Sequence, residues 1–209
     1  MATQASSVKL RKAVDNYVDN VGNLVRRNFI PLRESAPRPL LMGIDPGLNG
    51  AVAVVDMDRR CLVDMIDLPT FEKPTESRKQ GFFKYLDVHK LSAAVDLYAP
   101  MVALCVLEEP GAMPNQGLGS TFRFGHVCGQ IHGVLAGHYM PVVPVKPGVW
   151  KSALALSDRK DESIIRANME FPAVKDLWAK KMHNDRAEAA LLCIYAMKYL
   201  KAVISLSRK

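Results

Sequence analysis

Residues 40–50 read LLMGIDPGLNG, and this stretch decides the fold: a short apolar run, one aspartate, and then a turn. The run has the length of a strand and is bounded by turn residues, so it predicts a buried strand that ends at Asp45. Residues 51–56 predict a second strand and residues 61–68 a third, joined by short connections. Short connections permit only antiparallel pairing, because a parallel pair needs a long crossover. The folded part of the chain therefore begins with an antiparallel meander.

The rest of the chain alternates helical and strand patterns. Residues 101–107 form a continuous apolar run, typical of a strand buried on both faces, and residues 141–145 predict a fifth strand. Helical spacing predicts helices over residues 87–98, 122–139, 150–156, 162–169 and 185–200. We therefore expect an α/β fold with a mixed five-stranded sheet, three antiparallel strands followed by parallel strands, and helices on both faces.

Two segments of this region have unusual composition. Residues 69–86 have the composition of a polar loop in which basic residues mix with aromatic ones. Such a segment is either a loop that contacts a DNA backbone and unstacked bases or a solvated loop with an aromatic anchor, and both interpretations stay open. In the helix predicted over residues 122–139, glycine recurs at intervals of four, at Gly125, Gly129, Gly133 and Gly137. Small residues let a helix lie close to its neighbour, so we expect this glycine stripe to pack on the sheet.

Length, charge and cysteine usage narrow the function classes. The chain has 209 residues and a net charge of +7, which favours an anionic partner, either nucleic acid or a membrane surface. No stretch approaches the ~20 consecutive apolar residues of a membrane span, so we expect a cytoplasmic protein. An organellar location stays an alternative. The four cysteines are scattered singly, which predicts small core residues in a reducing compartment rather than a zinc site.

Residues 1–39 form a basic arm ahead of a predicted domain at residues 40–204. The arm holds seven Lys and Arg against three acids, a net charge of +4. Its apolar residues follow one helical stripe, and prolines then mark a linker. The stripe consists of Leu10, Val14, Tyr17, Val21 and Leu24. The arm is either a helix docked on or tethered to the domain, or a segment that forms a dimer or grips DNA.

Four acids stand where a divalent-metal nuclease needs them. Asp45 ends the first predicted strand, Glu108 follows the fourth, and Asp185 and Glu188 open the last long helix. If the two strands are neighbours, Asp45 and Glu108 emerge at the same edge of the sheet. Asp185 and Glu188 are three residues apart and share a helix face. Mg²⁺ prefers oxygen ligands, and two such ions between these acids would activate water and stabilise the departing oxygen of a phosphodiester.

Each acid also has a structural interpretation. An Asp before Pro-Gly is commonly a turn residue, and Asp185 with Glu188 matches a helix capping box. Glu109 stands beside Glu108 and leaves the choice between them open on residue type alone. His183 is either a surface histidine or an additional ligand or proton carrier.

Five segments together resemble the RuvC-like Holliday junction resolvases, in the form met in phage and organellar members of this ribonuclease H-like family. They are GIDPG at residues 43–47, LEEPGAMPNQG at 107–117, VKPGVWK at 145–151, Lys160-Asp161, and DRAEA at 185–189. The resemblance covers about residues 40–200 and leaves the arm unexplained. It differs from bacterial members at Glu188, where Asp is common, and at Gly111, where they carry an aromatic residue.

The resemblance implies an endonuclease that resolves four-way DNA junctions by paired nicks and leaves 5′-phosphate and 3′-hydroxyl ends. It implies Asp45, Glu108, Asp185 and Glu188 as catalytic ligands of two Mg²⁺ ions, with Mn²⁺ as a substitute, and it selects Glu108 by its spacing from the Met-Pro-x-Gln-Gly segment. It also implies a homodimer. The basic residues assigned to DNA binding are Lys146, Lys151, Lys160 and Arg123. Because Gly111 replaces the aromatic residue of bacterial members, base stacking would be performed by Phe122, Phe124 or the segment at residues 82–85.

Two other functions fit the same residues. A broader nuclease for branched DNA or RNA–DNA hybrids would use the same four acids. A non-catalytic junction-binding protein would use them only as caps and turns.

Overall fold

The computed structural model describes residues 39–74, 82–109, 111, 117–157 and 159–207. The strands are β1 Leu40–Asp45, β2 Ala51–Asp56, β3 Cys61–Asp67, β4 Thr70–Pro74, β5 Phe82–Leu86, β6 Val102–Glu108 and β7 Val142–Val145. The helices are α1 Val88–Asp96, α2 Leu118–Gly137, α3 Pro147–Ala153, α4 Lys160–Glu170, α5 Asn184–Tyr199 and α6 Lys201–Ser207. Short 3-10 turns cover Ala99–Met101, Pro172–Trp178 and Lys181–His183. The predicted arm lies outside the described residues, apart from residue 39.

The central sheet has the strand order β3-β2-β1-β6-β7. β1 pairs antiparallel with β2 and parallel with β6, and β6 pairs parallel with β7. The predicted mixed sheet of three antiparallel strands followed by parallel strands is therefore confirmed. All residues of β1, β2 and β6 are buried, as their apolar runs predict for strands covered on both faces.

Helices cover both faces of this sheet, as predicted. On one face, Leu41 joins a core that is completed by α3, α4, α5 and α6, and on the other Met42 joins a core completed by α1 and α2. Side chains alternate between the two cores because successive strand residues point to opposite faces. Helix α5 is buried almost all round from Ala187 to Ala196, and it lies directly against β1. A Cβ at Gly43 would collide with the carbonyl oxygen of Ala189, so this glycine is required for the close approach.

Three predictions were wrong. Part of the segment predicted as a polar loop, residues 69–86, folds as the β4–β5 hairpin, because its exposed strands carry no apolar alternation for a pattern to reveal. The glycine stripe of α2 does not pack on the sheet: Cβ atoms added at its four positions would meet nothing within 4 Å, since the buried side of α2 is formed by other residues. Cys61 is exposed at the start of β3, whereas Cys105 and Cys193 are buried as predicted.

No helix in the described ranges is long and apolar enough to cross a membrane.

Candidate metal centre

Two of the predicted acids leave the central sheet at the same edge. β1 and β6 are parallel neighbours with Ile44 opposite Leu107, so the next residues, Asp45 and Glu108, end their strands side by side. Each is only 9% exposed, whereas Glu109 is exposed. Burial therefore distinguishes the two adjacent glutamates and favours Glu108 as the site residue.

Helix α5 carries the other two acids to this edge. Its N-cap residue is His183, and Asp185 lies inside the helix, so the interpretation of Asp185 as the N-cap of a capping box is wrong. Glu188 is 6% exposed and directly precedes Ala189, the residue that contacts β1 at Gly43. Asp185 lies one helical turn earlier and is half-buried.

The electrostatics show that these acids act on one another. Burial raises the pKa of Asp45 well above its usual range, and the carboxylates of Glu108, Asp185 and Glu188 raise it further. Burial also raises the pKa of Glu108, against the opposing effect of a hydrogen bond from Trp150. Glu108, Asp185 and Glu188 therefore all lie within electrostatic range of Asp45, and we call these four residues the acid cluster.

Buried donors hold two members of this cluster. Trp150 donates from Nε1 to Oε2 of Glu108 at 2.8 Å, and Ser163 donates from Oγ to Oε1 of Glu188 at 2.9 Å. Both donors are 0% exposed. The sequence did not predict either donor. Trp150 stands next to Lys151 in the sequence, which was the only indication of its role, and no pattern indicated Ser163.

Lys151 places a positive charge in the cluster. Its Nζ lies 3.0 Å from Oε1 of Glu188. Burial lowers the pKa of Lys151, but the carboxylates of Glu188, Glu108 and Asp45 outweigh burial and raise it overall. Lys151 therefore stays protonated.

The donor chemistry fits a hard divalent cation. The cluster offers several carboxylate oxygens, and the carboxylate of Asp45 is buried among like charges that a cation would balance. As arranged here, however, no three acidic, histidine or cysteine side chains of the described ranges meet closely enough to hold a metal ion.

The other basic residues predicted to bind DNA lie on three different elements. Lys146 is exposed at the N-cap of α3. The guanidinium of Arg123 lies 4.6 Å from the ring centroid of Phe83. Lys160 begins α4, and its side chain is outside the described part of the structure. Their role in DNA binding stays a prediction.

The role of His183 as an additional ligand or proton carrier stays a prediction. His183 lies within electrostatic reach of Asp67, where it contributes to lowering the pKa of that carboxyl after the hydrogen bond from Arg186. Its Nδ1 is buried and has no hydrogen-bond partner among the described residues.

The hairpin presents a mixed aromatic and basic face. Phe71 stands opposite Tyr85 and Lys73 opposite Phe83, so these four side chains share one face. The rings of Phe71 and Tyr85 stack at 5.8 Å, and Nζ of Lys73 lies 5.3 and 5.2 Å from their centroids. Arg123 of α2 covers Phe83 on the same face. We call these four residues and Arg123 the hairpin patch.

The hairpin patch lies near the acid cluster. Asp45 and Glu108 raise the pKa of Cys128 in α2, after the larger effect of burial, so this part of the helix borders the cluster. Arg123 lies five residues earlier, a distance of about 7.5 Å along the helix axis.

Comparison with solved structures identifies the fold. The structure of Thermus thermophilus RuvC in complex with Holliday junction substrate matches at a TM-score of 0.52 and 17% identity, over 76% of this chain and 94% of that one. Another T. thermophilus RuvC structure matches at 0.48 and 16%, over 76% and 95%. The Fowlpox virus resolvase in complex with Holliday junction DNA matches at 0.37 and 16%, over 78% and 97%.

Neither a protein-family model nor a curated protein matches the sequence. The likeness to the T. thermophilus complex concerns the fold, and it agrees with the motifs in the sequence. The chain has the fold of T. thermophilus RuvC.

Proposed function

We propose that this protein is a divalent-metal-dependent endonuclease that resolves four-way DNA junctions. The observation that carries the proposal is the convergence of Asp45, Glu108, Asp185 and Glu188 from two parallel strands and a helix at one edge of the sheet. The fold is shared with a RuvC that was solved with a Holliday junction substrate. The net charge of +7 also favours a polyanionic partner.

The four acids would hold Mg²⁺, two ions per site, with Mn²⁺ as a substitute. When bound, the metal would activate water and stabilise negative charge on the departing oxygen. Asp45 and Glu108 suit this role because burial leaves their carboxylates short of solvation, which a cation restores.

Lys151 would position the scissile phosphate. Its ammonium stays charged and lies at the cluster, 3.0 Å from Glu188, so a phosphate oxygen can replace the carboxylate as its partner. Lys146, Lys160 and Arg123 would contact phosphates further away. Such contacts hold DNA without reading its sequence, so binding should weaken steeply as salt rises.

The hairpin patch would bind the unpaired bases at the centre of a junction. Aromatic rings provide stacking surfaces for bases of any sequence, and adjacent cations pair with the backbone. Phe71, Phe83 and Tyr85 are 40%, 42% and 38% exposed, which leaves part of each ring accessible.

We also propose that the protein acts as a homodimer, so that two sites nick opposed strands of a two-fold symmetric junction. Residues 40–204 would form the nuclease domain and residues 1–39 an additional basic arm. Because the proposed substrate forms where DNA is recombined, we expect the protein in a bacterial or phage-infected cytoplasm or in an organelle. Sedimentation analysis of the full chain, free and with a junction, tests the assembly.

The decisive test incubates the full chain with a synthetic four-way junction, a flap and an RNA–DNA hybrid, in Mg²⁺, Mn²⁺ or EDTA. We expect paired symmetric nicks on the junction alone, dependent on metal, and products that a DNA ligase seals. Equal cleavage of the flap or hybrid would favour the broader nuclease. Intact strands under every metal and salt condition would contradict the proposal and favour a non-catalytic junction-binding protein.

A further inference from the structure

The indole of Trp150 lies directly behind the acid cluster. It is 0% exposed, and its Nε1 donates to Oε2 of Glu108 at 2.8 Å. An indole nitrogen can donate a hydrogen bond but cannot accept one. Oε2 of Glu108 is therefore always the acceptor in this contact. The hydrogen bond holds Oε2 of Glu108, so Oε1 is the oxygen that a further partner can take.

Trp150 contacts the cluster at a second point. Nζ of Lys151 lies 5.4 Å from the centroid of its ring, while the same Nζ is paired with Glu188 at 3.0 Å. One rigid, buried ring thus limits both the rotamer of Glu108 and the position of the cation beside Glu188. The ring itself is fixed by packing in the core that contains Leu154 and Ala167.

We infer that Trp150 is a positioning residue that holds Glu108 in the orientation required to bind a divalent cation. The inference rests on the proposed function, because it assigns the cation to the acid cluster. Ligands that lack their supporting hydrogen bonds lose affinity for metal, typically by about 10–100-fold. A tryptophan that served only the core would affect stability and leave metal binding unchanged.

The chain provides a matched control in Trp178. This second indole is also 0% exposed, and its Nε1 donates to Oδ1 of Asn168 at 2.8 Å. Trp178 packs against Phe171 rather than against any of the four acids. Replacing either tryptophan by phenylalanine removes one hydrogen bond from a fully buried indole and a similar volume, so only Trp150→Phe should affect the cluster.

The experiment titrates the full chain with Mg²⁺ alone and follows the indole N–H resonances by NMR. The sequence holds two tryptophans, so two signals are expected, and Trp178→Phe leaves only that of Trp150. We expect the Trp150 signal to shift saturably with Mg²⁺ and the Trp178 signal to stay in place. Calorimetry should show that Trp150→Phe weakens Mg²⁺ binding by about 10–100-fold, and that Trp178→Phe retains wild-type affinity.

The outcomes separate the inference from the proposed function. Unchanged Mg²⁺ affinity in Trp150→Phe would overturn the positioning role, while junction cleavage by the wild type would leave the function standing. If Trp150→Phe does not fold, the wild-type titration decides: a shift of the Trp150 signal alone supports the role, and no shift overturns it. A wild-type chain that binds no Mg²⁺ and cleaves no junction would overturn both.

Discussion

The central sheet and the β4–β5 hairpin follow each other along the chain but differ in what surrounds their side chains. Every residue of β1 and β6 is buried between two layers of helices, whereas in the hairpin Leu86 alone is fully buried. The sheet brings residues far apart in sequence to fixed positions, as for Trp150 and Glu108, 42 residues apart. The hairpin presents neighbouring residues to solvent.

This difference indicates two kinds of function. Catalysis requires groups that are held within narrow limits, and a fully packed sheet end provides them. Binding of unpaired bases tolerates movement, so an exposed ribbon is sufficient. Substitutions in the sheet should therefore alter stability and cleavage, and substitutions in the hairpin should alter junction binding alone.

The largest expected effect follows Asp45→Asn, which should reduce junction cleavage by on the order of 10³-fold or more and retain junction binding. The loss follows because an amide carries no charge to hold the cation. Asp64→Asn is the control: Asp64 lies on β3 and accepts a hydrogen bond from Tyr98, which an amide oxygen can also accept. Cleavage rates on a labelled junction and gel-shift affinities compare both variants. An Asp45→Asn protein that still cleaves would exclude the acid cluster as the catalytic site.

Asp45→Asn should increase the stability of the metal-free protein, although it reduces cleavage. The pKa of Asp45 is raised by burial and by neighbouring carboxylates, so the folded state keeps this proton to higher pH than the unfolded chain. Stability is therefore lost as pH rises from the unfolded pKa, about 3.9, through the folded one. Asparagine cannot ionise, so the variant should melt above wild type in EDTA, with a gap at pH 8 that exceeds the gap at pH 5. A gap that narrows as pH rises would contradict the assigned charge.

The next largest effect concerns Gly43, where β1 and α5 approach most closely. Gly43→Ala places a Cβ against the backbone oxygen of Ala189, which cannot move without displacing the helix that carries Glu188. We expect a loss of about 3 kcal/mol in the free energy of unfolding, at the upper end of overpacking effects. Denaturant titration measures it, and wild-type stability would show that α5 is not fixed on the sheet.

A smaller effect is expected in the hairpin. Phe83→Ala should weaken junction binding by about 1–3 kcal/mol, the usual range for loss of one stacked base, with little change in stability. Phe82 provides the control, because it is 68% exposed and points to the opposite face of the same ribbon. Titrations with a junction that carries a fluorescent base at its centre compare the two variants. Equal losses would show that binding does not depend on the face that carries Lys73 and Arg123.

The sequence predicted the central sheet because its signals are local. The apolar runs before Asp45 and Glu108 each mark a buried strand, and the adjacent acids mark where each strand ends. The hairpin was missed because neither β4 nor β5 has a buried face to impose alternation. The partners of the acids were missed for another reason: the contact between Ser163 and Glu188 joins two helices, and only packing in three dimensions decides which side chains meet.

The smallest expected effect concerns the glycine stripe of α2, which the sequence assigned to the wrong face. An added Cβ at Gly129 would meet nothing within 4 Å, in contrast to Gly43. Because glycine is about 0.8–1 kcal/mol less favourable than alanine inside a helix, Gly129→Ala should stabilise the protein by up to that amount. Thermal and urea unfolding at a concentration where sedimentation shows a monomer measure the gain. Gly129→Ala and Gly43→Ala thus make the same chemical change with opposite expected signs, and destabilisation of both would show that α2 lies closer to its surroundings than the structure has it.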